Sequence, residues 1–245
     1  MNPSLATGLT AALGAAGAAG LAYGGFAYAS LWPGSRIFGE ALIAPSRPGE
    51  LALTFDDGPN HMWTPRLLDT LAGHNVRATF FLLGERAQAQ PDLVRRMASA
   101  GHLLGNHSWD HPNLAHSSAR RIREELTRAQ DALQQLTGAP VKFFRPPFGA
   151  RRSAVFRIAR EIGLQPVLWN VMTTDWSDPS SARIASRLTG KIDRLRQRGH
   201  AANIVLHDGG YLDPNSNREP SVTAAAKLVA HYKELCRFVT LDTWG

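Results

Sequence analysis

Cysteine is nearly absent from this chain of 245 residues, which carries only Cys236. A lone thiol excludes an internal disulfide framework and the Cys-rich zinc modules, and reads as a small apolar residue on a C-terminal helix. No internal repeat and no low-complexity tract follows residue 35, so a repeat array is excluded as well. Charge is missing from Met1 to Ser35, although the chain as a whole has a net charge of +7 and a pI near 10.2. That excess favours anionic surfaces or polymers as partners. It is carried by arginine clusters such as "ARRIRE" (119–124) and "DRLRQRG" (193–199) on helix-like stretches. No aromatic-interleaved basic motif accompanies them, so they read as solvated helix faces and no nucleic-acid partner is expected.

The uncharged start has its own character. Residues 5–32 are long enough to cross a bilayer, though rich in Ala and Gly rather than Leu. Tyr23, Tyr28 and Trp32 lie towards one end, as interfacial aromatics do, and Gly20 and Gly24 give one G-x-x-x-G spacing. Ala27-Tyr28-Ala29 has the form of a cleavage site, but the basic region that opens a signal peptide is missing. The expectation is an uncleaved transmembrane anchor, or a cleaved signal segment, over 1–35, then a linker over 36–49 and one domain over 50–245. Membrane partnership through this segment puts the domain at the cell membrane facing out of the cytoplasm, or secreted if the segment is removed.

From residue 50 the chain alternates. Strand-like runs lie at 51–56, 78–84, 102–107, 141–146, 165–171, 203–208 and 237–243. Helix-like segments lie between them, at 64–72, 87–100, 118–136, 152–162, 180–198 and 221–235. Gly73, Gly101, Gly138, Gly163 and Gly199 stand where helix C-caps are expected. This repetition predicts an α/β fold with parallel strands, a (β/α)7 barrel rather than an open sheet, preceded by an N-terminal hydrophobic helix.

Polar residues gather at the predicted strand ends, where such folds build their sites. Asp56 and Asp57 end the first strand, His107 the third, Arg145 the fourth and His207 the sixth, while Asp175 follows the fifth. Adjacent carboxylates repel, so two at one strand end need a compensating partner unless they serve only a turn. In "NHSWDHPN" (106–113), His107 and His111 stand at i, i+4. A helical turn would set both imidazoles on one side, suited to a shared metal, with Ser108 holding the turn. One aspartate added to them makes a two-His, one-carboxylate set with open positions, which suits a catalytic Zn²⁺ or related ion. The other aspartate is then available as a base for a water made acidic by that ion.

These motifs resemble the polysaccharide deacetylase family, also called the NodB-homology or carbohydrate esterase family four domain. The resemblance covers about residues 50–243. "TFDDGPN" (54–60) and "HSWDH" (107–111) match its first two motifs in full; "RPPFG" (145–149), "DW" (175–176) and "IVLHD" (204–208) match the other three with departures. The family's fold is a distorted (β/α)7 TIM-like barrel. The resemblance implies Asp57, His107 and His111 as ligands of one divalent ion, Zn²⁺ or Co²⁺. It implies Asp56 as general base, Arg145 as its holder, and His207 as general acid oriented by Asp175. The Phe148 backbone N–H would meet the oxyanion, and Trp176 and Leu206 would line a pocket for the acetyl methyl. The implied activity is metal-dependent removal of N-acetyl groups from N-acetylglucosamine glycans: peptidoglycan, chitin-like oligomers or poly-N-acetylglucosamine. O-acetyl or non-sugar amide substrates, and a non-catalytic glycan-binding surface module, are the rival readings. Two departures bear on the site: Phe148 stands where the family often has Tyr, and Met172 where another Asp is common.

Overall fold

The computed structural model describes residues 23–245. A helical stretch over 23–31 leads into an irregular segment, and the α/β unit starts at residue 50. Eight strands follow: β1 (Glu50–Gly58), β2 (Thr79–Leu82), β3 (Leu103–Asn106), β4 (Phe143–Phe144), β5 (Gln165–Pro166), β6 (Val171–Met172), β7 (Ala202–His207) and β8 (Arg237–Phe238). Seven of them form a curled parallel half-barrel in the order β5-β4-β3-β2-β1-β7-β6, and β8 adds to the start of β1. The helices are α1 (Trp63–Gly73), α2 (Gly84–Ala89), α3 (Pro91–Ser99), α4 (Ala119–Thr137), α5 (Ser153–Glu161), α6 (Ser181–Gln197) and α7 (Glu219–Tyr232).

Strand alternation sorts the core into two layers. Leu51, Leu53 and Phe55 of β1 join the large cluster beneath the helices, together with Phe80, Leu82, Ile204 and Leu206. The intervening Ala52 belongs to a smaller cluster inside the curl, with Phe81, Phe143, Val167 and Leu241. The inner face turns polar toward the strands' C-terminal ends, where Thr54 and Asp56 follow Ala52. Parallel strands covered on both faces need this continuous apolar character.

The curl is open between β5 and β6, and the segment before β1 fills the gap. Leu42 pairs with Val167: its N–H donates to the Pro166 carbonyl and its carbonyl accepts from Leu168, both at 2.9 Å. The buried Asn203 amide then donates to the carbonyls of Ile43 (2.9 Å) and Leu168 (2.8 Å). One side chain of β7 thus ties both margins of the opening.

Several boundaries differ from the sequence reading for local reasons. The helix expected over 87–100 is two helices, because Pro91 lacks an N–H and pushes Gln90 out of helical geometry (φ −133°, ψ 58°). The run 165–171 divides into β5 and β6; Asn170 exchanges hydrogen bonds with Asn203 and turns the chain to the other margin. The last run is a strand only over Arg237–Phe238, then a 3-10 turn at Leu241–Thr243. Gly101, Gly138, Gly163 and Gly199 have positive φ, but Gly73 stays inside α1 and Asn75 takes the left-handed role (φ 53°). None of the described helices is long and apolar enough to cross a membrane. Most of the expected anchor, residues 1–22, lies outside the described residues.

Replacing Asn203 by Ala leaves two carbonyls at the gap without donors. Urea unfolding should then show a loss of about 1–3 kcal/mol, whereas an unchanged midpoint would mean that Leu42 alone closes the curl.

Candidate active site

β1 ends in the two aspartates, and they part company at once. Asp56 keeps strand geometry and points inward, in register with His207 of β7. The next side chain of a regular strand would face the helices. Asp57 instead adopts a left-handed conformation (φ 67°), which turns it toward the same mouth. Gly209 packs against this bend so closely that a Cβ there would lie 1.9 Å from the Asp57 carbonyl oxygen. Only glycine fits.

The histidine loop is also bent rather than helical, contrary to the helical turn expected from the i, i+4 spacing. Ser108 (φ 70°) and His111 (φ 65°) are both left-handed. The buried Asn106 Oδ1 accepts from the Ser108 N–H (2.8 Å), and Ser108 Oγ accepts from the His111 N–H (3.1 Å). Glu125, buried on α4, accepts from the N–H groups of Trp109 (2.9 Å) and Asp110 (3.2 Å). With Phe148 (φ 59°), four of the five described non-glycine residues with positive φ surround this site. Each such conformation costs about 1–3 kcal/mol and persists because neighbouring bonds over-determine it.

The outcome is a three-residue donor set. Asp57 Oδ1 lies 3.3 Å from His107 Nε2 and 3.2 Å from His111 Nε2. His107 Nδ1 sits 2.8 Å from the Arg145 carbonyl, which can only accept, so the tautomer with the proton on Nδ1 is the one that leaves Nε2 free as a ligand. Burial lowers His111 below its usual range despite the Asp57 carboxylate, which favours the neutral ring. Burial opposes charge on Asp57, but the two imidazoles hold it well below the usual carboxylate range. Its Oδ1 is buried and has no hydrogen-bond partner among the described residues. Asp57 Oδ1 and one ring nitrogen from each histidine converge closely enough to be shared by one divalent cation. The three residues therefore fit a metal, and three protein ligands leave a position open, as in catalytic rather than structural centres.

Two further pairs flank the donor set. Arg145, wholly buried, donates to Asp56 Oδ1 and to Thr54 Oγ1, each at 2.7 Å, and to Asn203 Oδ1 at 3.3 Å. Its guanidinium lies 4.1 Å from the centre of the Phe81 ring. On the other side, Asp175 Oδ1 accepts from His207 Nδ1 (2.9 Å), while Oδ2 accepts from the His207 N–H (2.8 Å) and Ser221 Oγ (2.7 Å). Burial disfavours charge on His207, but the charge and hydrogen bond of Asp175 prevail and push it up to about 9. At neutral pH it is an imidazolium. Behind Asp57, burial pushes Asp208 up to about 7, with Thr64 donating to its carboxylate. This upward shift limits the negative charge crowded at the end of β1.

All of this opens into a cavity of about 600 Å³ lined by Asp56, Asp57, both metal-site histidines, His207 and an apolar rim. Tyr211 stacks on His111 at 4.3 Å between ring centroids, and Phe148 meets the same ring edge-on at 4.5 Å. Trp176, half exposed, stands edge-on to His207 at 5.1 Å. No acceptor meets the Phe148 N–H among the described residues. Leu206 departs from expectation: alternation along β7 buries it under the helices, and Val205 lines the cavity instead. Asp56, Asp57, His107, His111, Arg145, Phe148, Asp175, Trp176 and His207 are otherwise brought together. Thr54, Asn203, Ser221 and Glu125, which hold them, escaped sequence reading because each is remote from its partner in the chain. Met172 leaves Asp175 supported by Ser221.

A curled parallel sheet whose mouth joins an open metal-type donor set to a carboxylate and an imidazolium defines a hydrolase of the α/β class. The family model for polysaccharide deacetylase matches residues 44–167, and the chain belongs to that family. A peptidoglycan-N-acetylglucosamine deacetylase of Bacillus cereus is 37% identical over 204 residues, 83% of this chain and 70% of that one. A chitooligosaccharide deacetylase of Azorhizobium caulinodans is 34% identical over 71% of this chain and 80% of its own. Among solved structures, the Bc1960 peptidoglycan N-acetylglucosamine deacetylase superposes with a TM-score of 0.73 at 37% identity, over 83% of this chain and 91% of that one.

The donor set predicts stoichiometric metal binding. The full chain should retain about one Zn²⁺ or Co²⁺ in calorimetric titration, and His111→Ala or Asp57→Ala should abolish that stoichiometry. Glu125→Ala loosens the loop but removes no ligand, so affinity should fall about 10–100-fold.

Proposed function

We propose that this chain is a metal-dependent deacetylase acting on N-acetylglucosamine-containing glycans, with peptidoglycan or chitin-like oligomers as substrates. The observation that carries the proposal is the Asp57–His107–His111 set sharing one open cavity with the Asp56–Arg145 and His207–Asp175 pairs. The substrate class rests on the named relatives and on the aromatic rim of Phe148, Trp176 and Tyr211, suited to sugar faces. Membrane anchoring through the N-terminal segment, with the site outside the cytoplasm, belongs to the same proposal because cell-wall glycan lies there.

A divalent ion bound by Asp57, His107 and His111 supplies Lewis acidity that lowers the pKa of a water and offsets charge on the amide oxygen. The chain's own groups do the rest. Asp56, held by Arg145, takes a proton from the attacking water. The free Phe148 N–H donates to the oxygen that gains negative charge. His207 enters as an imidazolium and gives its Nε2 proton to the departing amine, while Asp175 fixes the ring through Nδ1. A base and an acid of separated affinity thus coexist at one pH.

The test is acetate release from N-acetylglucosamine oligomers by the full chain supplied with Zn²⁺ or Co²⁺. Asp56→Asn or His207→Ala should each lower kcat by about 10²–10⁴; full activity in either would remove its assigned role. The pH profile carries a second prediction. His207 must be protonated, so activity should fall as pH rises through the value near 9. Asp175→Asn removes the charge that raises it, so the basic limb should move to lower pH. A limb that stays in place would assign the acid to another group.

A further inference from the structure

Arg151 stands three residues beyond Phe148, is wholly buried, and has no carboxylate partner among the described residues. Burial alone brings its guanidinium down to about 10. Everything it holds is backbone carbonyl. Its Nη1 donates to Ser30 (3.0 Å) and Gly149 (3.1 Å), its Nη2 to Trp32 (2.5 Å) and Ser35 (3.2 Å), and its own N–H to Ser30 (3.1 Å). Three of these carbonyls belong to the end of the 23–31 helical stretch and the residues just after it. A helix end leaves such carbonyls unpaired and favours a cation. The fourth, Gly149, belongs to the turn that carries Phe148.

Other contacts make the grip two-sided. Ala29, Ser30 and Ser35 are buried against the domain, and Phe26 packs on Phe38 (5.9 Å) and His116 (6.2 Å). On the opposite side of the turn, a Cβ on Gly149 would lie 2.8 Å from the Trp169 ring. The left-handed Phe148 peptide is therefore confined between Trp169 and the Arg151 guanidinium. Residues 30–35 supply three of the four carbonyls that this buried guanidinium binds, so the helix end and the turn are tied through one side chain. The helix end and the turn must order together.

We infer that residues 23–35 belong to the working catalytic unit: through Arg151, a positioning residue, they hold the Pro147–Gly149 turn so that the Phe148 N–H faces the reacting oxygen. This rests on the donor role given to Phe148 above, and it starts the catalytic unit before residue 36.

The experiment compares full-length wild type with Arg151→Lys and Arg151→Met, using hydrogen exchange together with kinetics on an N-acetylglucosamine oligomer. Bound zinc counts the intact sites. Exchange should accelerate in 28–35 and in 148–151 together, in both variants. Per zinc-loaded site, kcat should fall about tenfold with KM nearly unchanged, less than the 10²–10³ of removing an oxyanion donor outright. Lys, with one ammonium in place of the fork, should not restore it. Should the Met variant fail to fold, the Lys variant carries the same comparison. An unchanged kcat per loaded site, or faster exchange in only one segment, overturns the inference. If the wild type releases no acetate, the proposed function fails instead, and the paired exchange response alone decides whether Arg151 couples the segments.

Discussion

The site depends on one buried cation. Arg145 reaches the inner face of the curl with its side chain and holds Asp56, while its backbone carbonyl receives the His107 Nδ1 proton. A single residue therefore sets the orientation of the proposed base and the tautomer of a metal-site ligand. Burying a guanidinium is costly unless its donors are met. Thr54, Asn203 and the Phe81 face supply that compensation, and Asn203 also closes the gap in the sheet. The closure of the fold and the geometry of the site are one network.

The adjacent carboxylates illustrate how backbone conformation divides labour. Alternation in β1 would send consecutive side chains to opposite layers. The left-handed bend at Asp57 cancels the alternation once and brings both to the mouth. Opposite surroundings then separate their tasks. Asp56 is paired with a guanidinium, whereas Asp57 faces two imidazoles and is left with an unpartnered oxygen. The same economy of strain recurs at Ser108, His111 and Phe148, each held by hydrogen bonds or packing that reach beyond its own loop.

Charge is managed across the same few ångströms. His207 is driven up and Asp57 down, so a proton donor and a cation ligand can coexist. Burial, helped by the aspartates at the end of β1, raises Asp208 to about 7. The apolar rim keeps these interactions strong by limiting water around them.

Much of this was legible in the chain itself. Periodicity located the strands and helices, because alternating and 3.6-residue patterns reflect which face is buried. Polar residues at successive strand ends located the mouth, because parallel strands share one C-terminal edge. Asp56, Asp57, His107, His111, Arg145, Asp175 and His207 could all be named on that basis. The supports could not. Thr54 and Asn203 beneath Arg145, Ser221 beneath Asp175 and Glu125 beneath the histidine loop are ordinary residues until folding brings them to their partners. Leu206 was misassigned because its motif does not say which way a strand faces; the register of β7 does. No pattern in the sequence set Arg151 apart. The sequence determined which chemical groups gather at the mouth. The tertiary structure alone decided how they are aimed, because aim is set by hydrogen bonds between segments distant along the chain.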